Sequence, residues 1–290
     1  MDNFFGFLDI SVELQTDTYL PVLPTRSIAK HLDLGIIYPT GQIRGIYFSE
    51  EIKYAIKQGY KLQKIYSGYE FIEKSCLFDE YVDELYKKRQ ATSNPILKAF
   101  YKKAINSLYG RFATEFIKEI NIGNTVYYEY KRDNVAISSA ISSYARIRVY
   151  EKIKPYIDAL IYWDTDGVFL KRPLNSSEIS TTLGAFRLVS EIKEVYFIAT
   201  KFYFYVTKSG TRKYIVRGIS QNEYYLSKQV MIKAFNELIR TGSFFNKAFE
   251  YTILLKNKIT GEIISKSFHF NHKRYVMKHA TKPYKIKCLN

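Results

Sequence analysis

Cysteine is nearly missing from this chain: Cys76 and Cys288 are the only two, and they form no C-x-x-C pair. That excludes a disulfide-stapled secreted scaffold and points to a reducing compartment. Long apolar runs are missing as well. None approaches the ~20 residues of a membrane-spanning helix, and the acidic start Met1-Asp2-Asn3 is not a signal peptide. The expectation is a soluble chain that is not exported and has no membrane partner. There are no internal repeats, low-complexity tracts or long Pro/Gly-rich linkers. Four histidines leave little room for a metal cluster. His269-x-x-His272, followed by His279 and Cys288, fits no common zinc spacing and is surrounded by basic residues.

Acidic residues are scarce at one end only. Residues 201–290 hold 18 Lys and Arg against 4 Asp and Glu, whereas residues 1–200 hold 26 against 24. Nearly all of the net charge of +16 therefore sits in the last 90 residues. A basic block interleaved with Tyr and Phe suits a nucleic-acid backbone. Its competitor is a solvated face produced by the Lys-, Ile-, Asn-, Tyr- and Phe-rich coding of an AT-rich genome. With 47% hydrophobic and 17% aromatic residues, the chain can bury one sizeable core or two smaller ones.

The pattern of residues predicts an α+β fold with a helical hairpin inserted between sheet segments. Strands are expected at Phe4–Leu14, Leu34–Tyr38 and Gly45–Phe48, and a short helix at Glu50–Gln58. Leu77, Phe78, Tyr81, Val82, Leu85 and Tyr86 recur at helical spacing. A second helix opens with Asn94 as N-cap and Pro95 in the first turn, and Gly110 can close it. A connecting segment, residues 114–134, leads to a Ser- and Ala-rich helix near Ala136–Ile153. Then come a strand-turn-strand at Ala159–Leu170 and strands at Val195–Thr207 and Lys213–Arg217. The tail offers a helix at Lys228–Arg240 and a hairpin from Ile253-Leu254-Leu255 to Ile263-Ile264, turning at Thr260-Gly261.

Two places carry chemistry. On the second helix, Lys98, Lys102, Asn106 and Tyr109 fall within about 80° of arc, while Leu97, Tyr101, Ala104 and Leu108 form a neighbouring face able to pack inward. Ammonium, amide and phenol groups together suit a nucleotide, although an ordinary amphipathic helix explains the periodicity equally well. The other place is Tyr162-Trp163-Asp164-Thr165-Asp166-Gly167, between apolar Ala159-Leu160-Ile161 and Val168-Phe169-Leu170. Two carboxylates one residue apart repel unless a cation or water separates them, and Mg²⁺ in phosphoryl-transfer sites takes one or two carboxylates plus phosphates. A plain Asp-Gly turn is the competing reading.

Taken together these places are more specific. Lys102-x-x-x-Asn106-Ser107-Leu108-Tyr109-Gly110 resembles motif B of family B DNA polymerases, K-x3-N-S-x-Y-G. Tyr162-x-Asp164-Thr165-Asp166 resembles their motif C, Y-x-D-T-D-S, with Gly167 in place of the usual Ser. Lys201-Phe202-Tyr203 resembles the K-x-Y motif that follows. The likeness runs from about Phe4 to the C-terminus. Gly35–Gly41 and Tyr47–Glu51 look like the region before motif B in protein-primed enzymes of linear plasmids and phages.

The resemblance implies a partial polymerase palm with an antiparallel sheet, helical-hairpin fingers and a basic thumb. The segments would be residues 1–75 (palm and pre-fingers), 76–112 (fingers), 113–220 (palm) and 221–290 (thumb). Lys102, Asn106 and Tyr109 would bind the nucleotide, and Lys201 and Tyr203 the primer DNA. Asp164 and Asp166 would be catalytic, holding two Mg²⁺. Partners would be primer-template DNA, dNTP and a terminal protein primer, in a mitochondrion with an organellar or plasmid gene. Motif A, D-x-x-S-L-Y-P, is not found: Asp2, Asp9, Asp17 and Asp33 are the upstream aspartates and none is followed by S-L-Y-P. The expectation is a polymerase segment starting just downstream of motif A, without the exonuclease domain and with little activity alone. A catalytically inactive DNA-binding remnant and one half of a split enzyme, with a separate chain supplying motif A, stay open beside it. A reverse transcriptase also has an aspartate hairpin, but N-S-L-Y-G on a helix argues against it.

Overall fold

The alternation that begins at Phe4 becomes strand β1, Gly6–Leu14, with Leu8, Ile10, Val12 and Leu14 buried on one face. The computed structural model describes residues 3–26, 36–122, 125–132, 134–220, 223–240, 249–270, 275–277, 280–282 and 285–286. After β1 come β2 (Thr25–Arg26), β3 (Ile36–Ile37), β4 (Thr40–Phe48), α1 (Ser49–Lys57) and β5 (Lys61–Glu70). Helices α2 (Asp79–Ala91) and α3 (Pro95–Ala113) follow, then β6 (Glu115–Ile122), β7 (Thr125–Arg132) and α4 (Val135–Ile153). Next are β8 (Leu160–Asp164), β9 (Gly167–Leu170), β10 (Ile192–Ala199), β11 (Phe202–Thr207), β12 (Arg212–Val216) and β13 (Tyr224–Tyr225). The described chain ends with α5 (Lys228–Arg240), β14 (Phe249–Asn257), β15 (Ile263–Phe270), β16 (Tyr275–Met277), β17 (Ala280–Lys282) and β18 (Lys285–Ile286). The fold is α+β, as the sequence predicts. Its hairpins are antiparallel, and one sheet runs β18-β4-β1-β5.

The chain divides into two compact units, Met1–Ser11 with Arg44–Pro155, and Val12–Ile43 with Tyr156–Asn290. In the first, α1 and α4 are joined by a buried charge. Glu51 is 1% exposed, and both its oxygens accept from Arg146, at 2.6 Å from Nε and 2.8 Å from Nη2. Ser143 Oγ donates to the same carboxylate at 2.8 Å. A two-pronged guanidinium contact is the arrangement that best compensates a carboxylate taken out of water.

The expected αα-hairpin forms as α2 and α3, which pack together, and α3 also packs on α4. Asn94 Oδ1 caps α3 by accepting from the Ile96 and Leu97 N–H groups at 2.9 and 3.3 Å. Two details differ from the sequence reading. Gly110 does not end the helix, which continues to Ala113, where Thr114 Oγ1 donates to the Gly110 carbonyl at 2.9 Å. The apolar face is also shifted, because Tyr101, Ala104 and Leu108 are half-buried but Leu97 is exposed. The segment at 114–134 is more than a connector. It is the antiparallel ladder β6–β7, paired from Glu115↔Arg132 to Ile122↔Thr125.

In the second unit, period-two alternation on β11 does two jobs. Phe202, Phe204 and Val206 face one way, into a core with Met231 and Ala234 of α5 and Leu255 of β14. Tyr203 and Tyr205 face the other way, onto rings of the β8–β9 hairpin. Sheet β10-β11-β12 is thus filled on both sides, and α5 keeps the bounds its apolar stripe predicts. Among the described residues no helix is long and apolar enough to cross a membrane. His272, His279 and Cys288 lie outside the described residues.

Candidate active site

The expected strand-turn-strand is present, with Asp164 pairing Gly167 across a two-residue turn of Thr165 and Asp166. Thr165 has φ 60, in the left-handed region that ordinarily takes Gly. A β-branched residue there stores strain of about 1–3 kcal/mol. The turn is held by Trp163 Nε1 donating to the Thr165 carbonyl at 2.9 Å and Thr165 Oγ1 donating to Asp164 Oδ1 at 3.2 Å. Replacing Thr165 with Gly is therefore expected to raise stability by about 1 kcal/mol, read as a higher urea midpoint at constant slope. A lower midpoint would show that the side-chain contacts outweigh the strain. At position 167 an added Cβ would meet the Asp164 carbonyl at 3.6 Å, an ordinary contact. The Gly that replaces the usual Ser is thus not demanded by space.

Five rings seat the hairpin on its sheet. Tyr162 stacks on Phe197 with centroids 4.8 Å apart, and Phe169 meets Phe197 and Tyr203 edge-on at 5.1 and 5.2 Å. Tyr205 closes the cluster against Phe169 at 5.9 Å. Burial pushes the Tyr162 phenol up to about 12, and the neighbouring Asp164 charge adds to the shift. The hydroxyl therefore stays protonated at neutral pH. It accepts the Lys201 backbone N–H at 3.0 Å. Burial also raises Tyr203.

Lys201 stands in the turn before β11, with φ 56, and not on a strand. Its Nζ lies 2.9 Å from Asp164 Oδ2, with the lysine side chain 49% and the aspartate 23% exposed. The fold thus brings Asp164 and Lys201 together from 37 residues apart, with Tyr203 in the ring cluster beneath. Asp166 is exposed at the tip of the turn. On α3, Lys102, Asn106 and Tyr109 share one exposed stripe, and Tyr109 is 52% exposed. The sequence offered no sign that the Tyr162 hydroxyl would hold the Lys201 backbone. The two left-handed residues, Thr165 and Lys201, were likewise not foreseen, although a Thr between two turn carboxylates is a signal that could have pointed to the first.

Asp164 and Asp166 present hard carboxylate oxygens, the donor type Mg²⁺ takes, usually from one or two protein carboxylates completed by phosphate and water. The pair fits the protein share of one such ion. Among the described residues no group of three or more His, Cys, Asp or Glu side chains gathers around a point.

Comparison with known proteins agrees with this geometry. Residues 1–181 match the family described as DNA polymerase type B, organellar and viral. A probable DNA polymerase of Neurospora intermedia is 30% identical over 295 residues, covering 87% of this chain and 30% of that protein. One from Podospora anserina is 27% identical over 318 residues, covering 89% and 26%. The chain thus spans under a third of these relatives' length. Among solved structures, Phi29 DNA polymerase complexed with primer-template DNA and incoming nucleotides superposes with a TM-score of 0.60 at 16% identity, covering 92% of this chain and 50% of that one. Its orthorhombic crystal form gives 0.58 at 17% identity, covering 93% and 52%. The matched residues enclose Lys102–Tyr109 and Asp164–Asp166, and the chain belongs to the organellar and viral type B DNA polymerases.

Proposed function

We propose that this chain carries the nucleotide-binding and metal-binding parts of a DNA-directed DNA polymerase. The observation that supports it most is that one family match encloses both the Lys102 helix and the Asp164 hairpin. The reaction is attack of a primer 3′-hydroxyl oxygen on the α-phosphorus of a dNTP. An O–P bond forms as the bond to the β-phosphate bridge breaks, and pyrophosphate leaves. Divalent ions, two in the intact enzyme, would polarise the phosphate oxygens and activate the hydroxyl.

Within this chain, Asp164 and Asp166 hold metal. Lys102 meets the triphosphate as a point charge, and Asn106 and Tyr109 line the nucleotide pocket. Lys201 and Tyr203 hold the primer end, and residues 221–290 act as a basic thumb. Residues 76–112 form the fingers, and residues 1–75 and 113–220 contribute the palm. A terminal protein would serve as primer. The setting is a mitochondrion, with an organellar or plasmid gene.

The test is the affinity for a fluorescent dNTP in Mg²⁺. Lys102→Ala is expected to weaken binding about tenfold, the size of one charge-assisted phosphate contact. Lys102 lies exposed on α3, so the substitution leaves packing untouched. An unchanged affinity would remove Lys102 from the nucleotide site.

A further inference from the structure

The Asp164 carboxylate, the proposed metal ligand, is paired with a side-chain cation. The Lys201 ammonium is 2.9 Å from Oδ2, close enough for direct ion pairing. This is not a floppy surface contact between two long side chains. Lys201 is fixed at its backbone, where the N–H donates to Tyr162 at 3.0 Å and φ is held at 56. The same Tyr162 packs against Phe197 and Tyr203, with ring centroids at 4.8 and 5.4 Å. A non-glycine residue persists in the left-handed region only when its surroundings over-determine it. The residue whose backbone is fixed in this way is the one whose ammonium pairs with Asp164.

We infer that Lys201 is a positioning residue that competes with the divalent ion for Asp164: it keeps the carboxylate charge-compensated without metal, and metal loading releases the ammonium toward phosphate. The inference rests on the assignment of Asp164 as a metal ligand. Its electrostatic logic is direct. A divalent ion and an ammonium cannot both sit against one carboxylate oxygen without strong repulsion, so binding one costs the contact with the other. Lys201 and metal are then linked reciprocally, each weakening the other's hold on Asp164 by the same factor. The freed ammonium is half-exposed and can meet a phosphate once the carboxylate is taken.

Trp163, the only tryptophan in the chain, is adjacent to Asp164 and so provides a readout independent of activity. Its energy transfer to bound Tb³⁺, a hard cation with oxygen ligands, gives a titration on the full chain. Lys201→Met is expected to tighten Tb³⁺ about tenfold, and Lys201→Gly, which keeps the left-handed turn without strain, should do the same. Lys201→Arg, which restores the charge, should return toward the wild-type affinity. Asp164→Asn should abolish the signal. If Asp164→Asn abolishes it but Lys201→Met and Lys201→Gly bind no more tightly than wild type, the competition is wrong and the metal assignment survives. If Asp164→Asn leaves Tb³⁺ binding intact, both fall.

Discussion

Raising salt from 50 to 200 mM is expected to weaken primer-template binding by this chain about 250- to 1000-fold. Residues 201–290 carry 18 Lys and Arg against 4 acids. If roughly four to six of them neutralise phosphates, counterion release gives a log–log slope of about −4 to −5 on duplex DNA. The bonds involved are to the backbone, so sequence preference should be weak. Fluorescence anisotropy of a labelled primer-template over a salt series measures the slope. An affinity that does not move with salt would mean that the basic block reflects coding bias alone.

Removing the buried carboxylate at position 51 should have the largest effect on stability. Glu51→Ala leaves the Arg146 guanidinium without the two contacts at 2.6 and 2.8 Å and leaves Ser143 without its acceptor. Breaking a fully buried pair by removing one partner costs about 3–5 kcal/mol, and the loss here should fall at the lower end because the Arg146 side chain is 28% exposed and can reach water. Glu51→Gln keeps a hydrogen-bonding group of the same shape and should lose less. The check is urea denaturation followed by circular dichroism. A loss below about 1 kcal/mol for Glu51→Ala would show that Arg146 finds water or another acceptor.

What could be read from the sequence was whatever is written in local patterns. Asn94-Pro95 marked the start of α3, and the helix expected at Lys228–Arg240, with Val230, Met231, Ala234, Phe235, Leu238 and Ile239 on one side, is α5 with both bounds. Asp164-Thr165-Asp166-Gly167 between two apolar runs marked the hairpin. Strand β5 escaped because Lys61–Glu70 is a mostly exposed edge strand with no clean alternation to read. The β6–β7 ladder was missed although Ile120 and Ile122 alternate up to Gly123-Asn124 and pair with Tyr127 and Thr125 beyond it, a hairpin signal taken for a linker. Contacts between distant residues had no local trace. Glu51 and Arg146 are 95 positions apart, and Lys201 and Asp164 meet only because the hairpin seats on β10 and β11 through its rings. The sequence named the chemical groups of the site; folding determined which of them touch.

The central claim is that Asp164 binds a divalent ion in the service of a nucleotide. Its most direct test is the Mg²⁺ dependence of fluorescent dNTP binding, compared between the wild-type chain and Asp164→Asn. Wild type should bind the nucleotide about tenfold more tightly, or better, when Mg²⁺ is added. The Asn variant keeps the size of the side chain and loses its charge, so it should bind equally with and without the ion. A variant that retains the full Mg²⁺ response would contradict the account, because the metal would then be held elsewhere.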